Sequence, residues 1–254
     1  MATTFYAESF APWCEKARWA LDHHGVPSRE REHTPLIGEV VLRMAARRAS
    51  GPVTVPLLVD GDTVLMDSVA IARHAERRGD GAPLFPSAHE RAIEAWNARS
   101  EVVMNAGRAP LLLRMRQSPA ALREQLPPFV PGALRGALRP LASTGVAHLV
   151  RKYGVHEDAR HATRIREALA AMRAALADRE HLVGGAFSFA DITMATSLQV
   201  LLPVDDRYIA LGPAPREVWT HPELAREHAD LIAWRDRLYA AHRAGARGAY
   251  SRGA

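Results

Sequence analysis

Two dipeptides within residues 53–78 (VTVPLLVDGDTVLMDSVAIARHAERR) carry the clearest chemistry in this chain. Val55-Pro56 opens an apolar run at a strand start, where proline is tolerated and a cis imide bond is possible. Asp67-Ser68 stands where a helix begins. It offers a carboxylate, a hydroxyl and free helix N–H groups, a cradle suited to a carboxylate ligand. The plainer readings are a trans proline and a simple helix cap, and capping is compatible with binding. The third candidate is Cys14, the single cysteine. It lies near a helix N-terminus and near Lys16, both of which lower a thiol pKa and favour the nucleophilic thiolate. Its plainer reading is a half-buried side chain packing a helix on a sheet.

The elements that must position these residues follow from local patterns. Leu57, Leu58 and Val59 form a short apolar run, Asp60-Gly61-Asp62 is a turn signal, and Val64, Leu65 and Met66 return, so an antiparallel hairpin is expected. Val69, Ala72 and Ala75 then share one face of a helix. Upstream, residues 3–7 (TTFYA) are β-prone. Trp13, Ala17, Ala20, Leu21 and His24 recur at helical spacing until Gly25-Val26-Pro27 stops them. Residues 29–33 read as a weak polar strand. Residues 36–49 read as a second helix with Val40, Val41 and Met44 inward. This order, strand–helix–strand–helix–strand–strand–helix, predicts a mixed sheet covered by helices over residues 1–80.

Glycine and proline at 79–83 break the pattern, and a linker is expected over 80–87. Every periodic segment beyond it is helical, which predicts an all-α unit over 88–254. Helices are expected over 89–104, continuing past a kink at Pro110 to Met115, and over 163–177, through Ile165, Leu169, Met172 and Leu176. A nearly all-apolar helix is expected over 189–202, and another helical stretch over 221–244 with Leu224, Ile232 and Leu238. Ser188 and Asp191 form a capping box at the start of the apolar helix, worth about 1 kcal/mol. Residues 118–153, with Pro119, Pro127, Pro128, Pro131 and Pro140, read as an insertion.

The series Val-Pro, hairpin, Asp-Ser resembles the second half of a thioredoxin-like domain in the glutathione transferase superfamily. Residues 13–21 (WCEKARWAL) look like the first helix of its bacterial members. Ser188-Phe189-Ala190-Asp191 is similar to the motif that opens the buried helix of their helical domain. The resemblance covers both halves of the chain and implies an α/β plus all-α fold: an N-terminal thioredoxin-like domain followed by a helical-bundle C-terminal domain. It further implies that glutathione is bound as co-substrate by Val55, Pro56, Asp67 and Ser68. Val55 would pair its backbone with the cysteinyl part, and Asp67 and Ser68 would hold the γ-glutamyl end. Where many members place a serine or cysteine donor for the sulfur, this chain has Ala11. Cys14, in the CxxC-like frame Ala11-Pro12-Trp13-Cys14, is one substitute. Ser9 and Tyr6 are the others, against readings as a loop hydroxyl and as strand packing. The expected activity is conjugation of glutathione to small hydrophobic electrophiles, or their reduction with it, for detoxification, in a homodimer. The alternatives are a Cys14-dependent thiol–disulfide or deglutathionylating reductase, and a non-catalytic glutathione-binding or protein-interaction module. Within the insertion, Leu126, Phe129, Val130 and Leu134 either pack on the helical domain or form a lid over the second-substrate pocket.

Composition narrows the classes. The 254 residues carry a net charge of +5, but the arginines are scattered rather than gathered with aromatics on one face, which argues against nucleic acid. A basic balance still attracts anionic substrates. No run of about 18 apolar residues occurs, so no membrane partner is expected. Residues 1–10 lack the features of a secretory signal, and a lone cysteine fits a reducing compartment, so a cytoplasmic location is expected. The 12 histidines show no zinc spacing, so no metal is expected, and no nucleophile elbow follows a strand.

Overall fold

A computed structural model describes residues 3–35, 38–126, 130–156, 158 and 160–243. Its first part is a four-stranded sheet in the order β2-β1-β3-β4. β1 (Thr4–Ala7) runs parallel to β2 (Arg29–Glu32) on one side, with Thr4 opposite Arg29. On its other side it is antiparallel to β3 (Leu57–Asp60), with Phe5 opposite Leu58. β3 turns at Gly61, which takes φ 59, into β4 (Thr63–Leu65). The positive φ is why glycine holds that turn. β2 is fully exposed and alternates Arg and Glu, a charged edge that discourages pairing with another sheet.

Side chains alternate across the sheet. Phe5, Ala7 and Leu58 face α1 (Pro12–His23) and α3 (Ser68–Arg78), where they cluster with Cys14, Ala17, Leu21, Ile71 and Ala75. Leu57 and the half-buried Tyr6 face the other way, toward Leu42 of α2 (Glu39–Ala45) and Val53. Here the inward face expected for the second helix is corrected. Val40 and Met44 are 67% and 74% exposed, Val41 is also exposed, and Leu42 and Ala46 are the buried pair. The helix has 7 residues, about two turns, and the i, i+4 stripe of Leu42 and Ala46 reaches the sheet with Ala45 beside it. Positions two residues from Leu42 lie on the far side. Leu36 lies outside the described residues.

The second part is helical. α4 (Glu90–Gln117) continues through Pro110 as one helix, followed by α5 (Pro119–Glu124), α6 (Arg139–Lys152) and α7 (Arg160–Ala175). Every residue of α8 (Phe189–Ser197) is buried. Its capping box forms: the Ser188 N–H donates to Asp191 Oδ2 at 2.8 Å, and the Leu182 N–H donates to Oδ1 at 2.9 Å. The apolar helix ends sooner than its composition suggests, because the chain tightens over Leu198–Val200. There Gly107 of α4 meets Val200, whose Cβ lies 2.4 Å from where an alanine Cβ would sit. The stretch 221–244 is also not one helix. α9 (Pro213–Trp219) precedes α10 (Pro222–Glu227), and His228, at φ -119 and ψ 32, separates α10 from α11 (Ala229–His242). In the insertion, Leu126 and Val130 are buried while Leu134 is 51% exposed, so packing on the helical domain holds for the first two and not for Leu134. Phe129 lies outside the described residues.

The two parts share a core. Trp19 and Ala20 of α1 and Ala72 of α3 join Phe189, Ile192, Leu198, Trp234, Leu238 and Tyr239 in one cluster. The Trp19 indole N–H donates to the His242 carbonyl at 3.1 Å. Beside it, the buried Glu15 carboxylate accepts from Arg18 at 2.6 Å and from Arg243 at 2.9 Å, and Arg243 also pairs with Asp22. These guanidinium groups outweigh the cost of burial and hold the Glu15 carboxyl below the ordinary range.

Candidate active site

The candidate groups come from the end of β1, the head of α1, the approach to β3, the start of α3 and the middle of α4. The Val55–Pro56 bond is cis. Val55 is half-buried against the cluster that holds Cys14 and Ile71, and its N–H and C=O make no hydrogen bond among the described residues. Such an edge can pair with an extended peptide. At the start of α3 the Ala70 N–H donates to Asp67 Oδ1 at 2.9 Å. Asp67 is exposed, with Oδ2 uncommitted among the described residues, and Ser68 beside it is buried at the first helical position.

The β1–α1 loop holds the other candidates. Ser9 is tied down: its N–H and Oγ donate to Glu32 Oε1 at 3.2 and 3.4 Å. Tyr6 lies on the α2 face of the sheet, packed with Leu42 and Leu57, whereas α1 covers the opposite face. Cys14 is wholly buried, and the Glu8 N–H donates to its Sγ at 3.4 Å. The expectation of a lowered thiol pKa is therefore corrected. Burial, reinforced by the charge of Glu8, pushes the Cys14 thiol well up, and the helix terminus does not offset it. Lys16 does not help either. It turns away to α4, where its buried ammonium donates to Glu101 Oε1 at 2.7 Å and Asn97 Oδ1 at 3.0 Å.

Two residues that the sequence did not single out come forward. Glu8, half-buried at the head of α1, has its carboxyl pushed up to about 7, first by burial and then by the charge of Glu32. Arg108 of α4 lies over both the Trp13 and the Tyr153 ring, its guanidinium carbon 4.1 and 4.0 Å from their centroids. The Trp13 N–H donates to Glu101 Oε2 at 2.7 Å, which fixes that ring. Next to Arg108 a cavity of about 140 Å³ is lined by Asn105, Tyr153, Val155, His156 and His161. Among the described residues no group of three or more His, Cys, Asp or Glu side chains could hold a metal ion.

The profile of the glutathione S-transferase N-terminal domain matches residues 5–83, and that of the C-terminal domain matches residues 155–237. The chain belongs to the glutathione S-transferase superfamily. Solved transferases agree in fold. A glutathione transferase of Phanerochaete chrysosporium, GSTFuA2, is 16% identical, with a TM-score of 0.66 over 96% of this chain and 99% of its own. A glutathione S-transferase of Methylobacillus flagellatus, solved with glutathione bound, is 15% identical, with a TM-score of 0.58 over 93% of both chains. One from Methylobacterium radiotolerans, in complex with glutathione sulfonate, is 18% identical, with a TM-score of 0.58 over the whole of both chains. No curated protein sequence matches this transferase-family chain. Arg108, Asn105 and Tyr153 all fall between the two matched segments.

Proposed function

We propose that this protein is a glutathione transferase that conjugates small hydrophobic electrophiles to glutathione or reduces them with it. The observation that carries the reading is the unpartnered backbone edge of Val55, in a domain whose α3 opens on Asp67-Ser68. In this reading Val55 pairs with the cysteinyl unit of glutathione. The Ser68 hydroxyl and the first N–H groups of α3 take the γ-glutamyl carboxylate, and Asp67 Oδ2 takes its ammonium group. Ala11 supplies neither hydroxyl nor thiol, and we assign the sulfur's proton to Glu8. The S–H bond breaks as the proton moves to the Glu8 carboxylate. The thiolate forms the new S–C bond, and a halide leaves with the electrons of its bond to carbon. Glu8 then returns the proton to water. A carboxyl titrating at about 7 is matched to that exchange at neutral pH.

The buried sulfur of Cys14 weighs against the reductase alternative, since an inaccessible thiol of raised pKa is a poor nucleophile. The working assembly we propose is a cytoplasmic two-fold homodimer. No helix among the described residues is long and apolar enough to cross a membrane. Calorimetric titration with glutathione, paired with conjugation to a nitro-activated aryl chloride, tests the function. The expected result is saturable binding and chloride release that survive Cys14→Ser. Binding without turnover supports the non-catalytic module, and activity abolished by Cys14→Ser supports the reductase.

A further inference from the structure

An arginine that serves only as a brace spends its N–H groups on the protein. Arg173 does so on Asp230 and the Glu227 carbonyl, and Arg216 on Asp206 and the carbonyls of Pro203 and Val204. Arg108 does not. Its guanidinium lies over the Trp13 and Tyr153 rings, and its five N–H donors project from the edge of one plane. Among the described residues that edge makes no ion pair. The nearby Glu101 is committed elsewhere, one oxygen to Lys16 and the other to Trp13. Glu8, the other carboxyl acting on Arg108, makes no hydrogen bond or ion pair with it among the described residues. His161, also lining the cavity, has a buried Nδ1 with no partner among the described residues. The volume of about 140 Å³ is close to that of a cavity that takes one benzene ring.

We propose that Arg108 binds the carboxylate of the second reactant, so that the hydrophobic electrophile is one that carries an acid group. A guanidinium held against two rings is already oriented for two parallel N–H···O bonds to a carboxylate. Its solvation is reduced before the ligand arrives, so the charge-assisted bonds compete with less water. Asn105 and His161 supply further polar contacts around the same volume. The proposal rests on the transferase reading for its chemistry, though not for its binding. Glutathione has carboxylates of its own, and the test separates them from the acid.

The protein is titrated by calorimetry with 3,5-dinitrobenzoate and with the matching neutral amide, first alone and then saturated with S-methylglutathione. Wild type should prefer the acid by at least about tenfold in both conditions. Arg108→Met should lose the preference and Arg108→Lys should keep part of it, because a point charge replaces a fork. Equal affinity for acid and amide in wild type overturns the proposal, and needs no variant to be read. A preference that vanishes with S-methylglutathione assigns Arg108 to glutathione and overturns it too, as does a preference undiminished in Arg108→Met. Turnover of 4-chloro-3,5-dinitrobenzoate is followed alongside. Acid preference without turnover removes the transferase reading and leaves the anion site standing.

Discussion

At the start of α3 the groups on offer are mostly backbone: the edge of Val55, the first N–H groups of the helix, and one capping carboxylate whose second oxygen is open. In the middle of α4 they are side chains: a guanidinium held by two rings, with an amide and an imidazole around a small cavity. Backbone groups are fixed by the fold and change little with sequence, so they suit a reactant that is always the same tripeptide. Side chains can be exchanged one at a time, so they suit the reactant that differs between enzymes. Val55, Asp67 and Ser68 fall in the matched segment at 5–83, whereas Asn105, Arg108 and Tyr153 fall between the two matched segments and His161 in the second.

Four variants break or sharpen this contrast. The largest effect is expected for Glu101→Ala, which strands the buried Lys16 ammonium and frees the Trp13 ring. Stability in urea should fall by about 3 kcal/mol, and the α4 side of the site should loosen before the α3 side. Glu8→Gln should lower kcat/KM by about a hundredfold and remove the limb along which activity rises as pH passes through about 7. The same residue has a signed effect on stability. Its folded carboxyl is raised, so its contribution is present below about 4.5, the ordinary value, and is lost as pH rises through about 7. Urea midpoints across that window should fall with pH in wild type more than in Glu8→Gln. Ser68→Ala should raise the dissociation constant for glutathione by about tenfold and leave the acid-over-amide preference intact. Asp67→Asn, which retains a good cap, should weaken glutathione by about threefold. If Ser68→Ala instead abolished the acid preference, the division of labour between the two regions would be wrong.

How much of this could be read beforehand depends on range. Asp67 and Ser188 were legible because caps are local: the residue and the helix start that it serves lie within four positions. The order of elements and the mixed sheet followed from the hairpin signal and the strand–helix alternation. For Cys14 the sequence leaves two readings, a thiol activated by a helix terminus and a side chain packing the helix on the sheet, and its burial favours the second. Cys14, Ala17 and Leu21 fall on one helical face, and that face meets the sheet. The face of α2 failed because several apolar positions compete when a helix touches its sheet with one stripe. Glu8 and Arg108 had no local signature. The pKa of Glu8 depends on Glu32 from another strand, and the posture of Arg108 depends on rings contributed by α1 and by the residue after α6. Among many arginines, nothing near position 108 marks it out.

The clasp formed by Glu15, Arg18, Asp22 and Arg243 bears on biosynthesis. While the chain is being made, α1 leaves the ribosome with more than two hundred residues still to come. Glu15 then has Arg18 alone, and the Trp19 indole waits for a carbonyl at position 242. The sheet-bearing half therefore cannot lock into final form by itself as it emerges. Its last fastening arrives with the last helix, so a nascent chain that stalls before residue 243 presents an unfinished α1 to the cell's quality control.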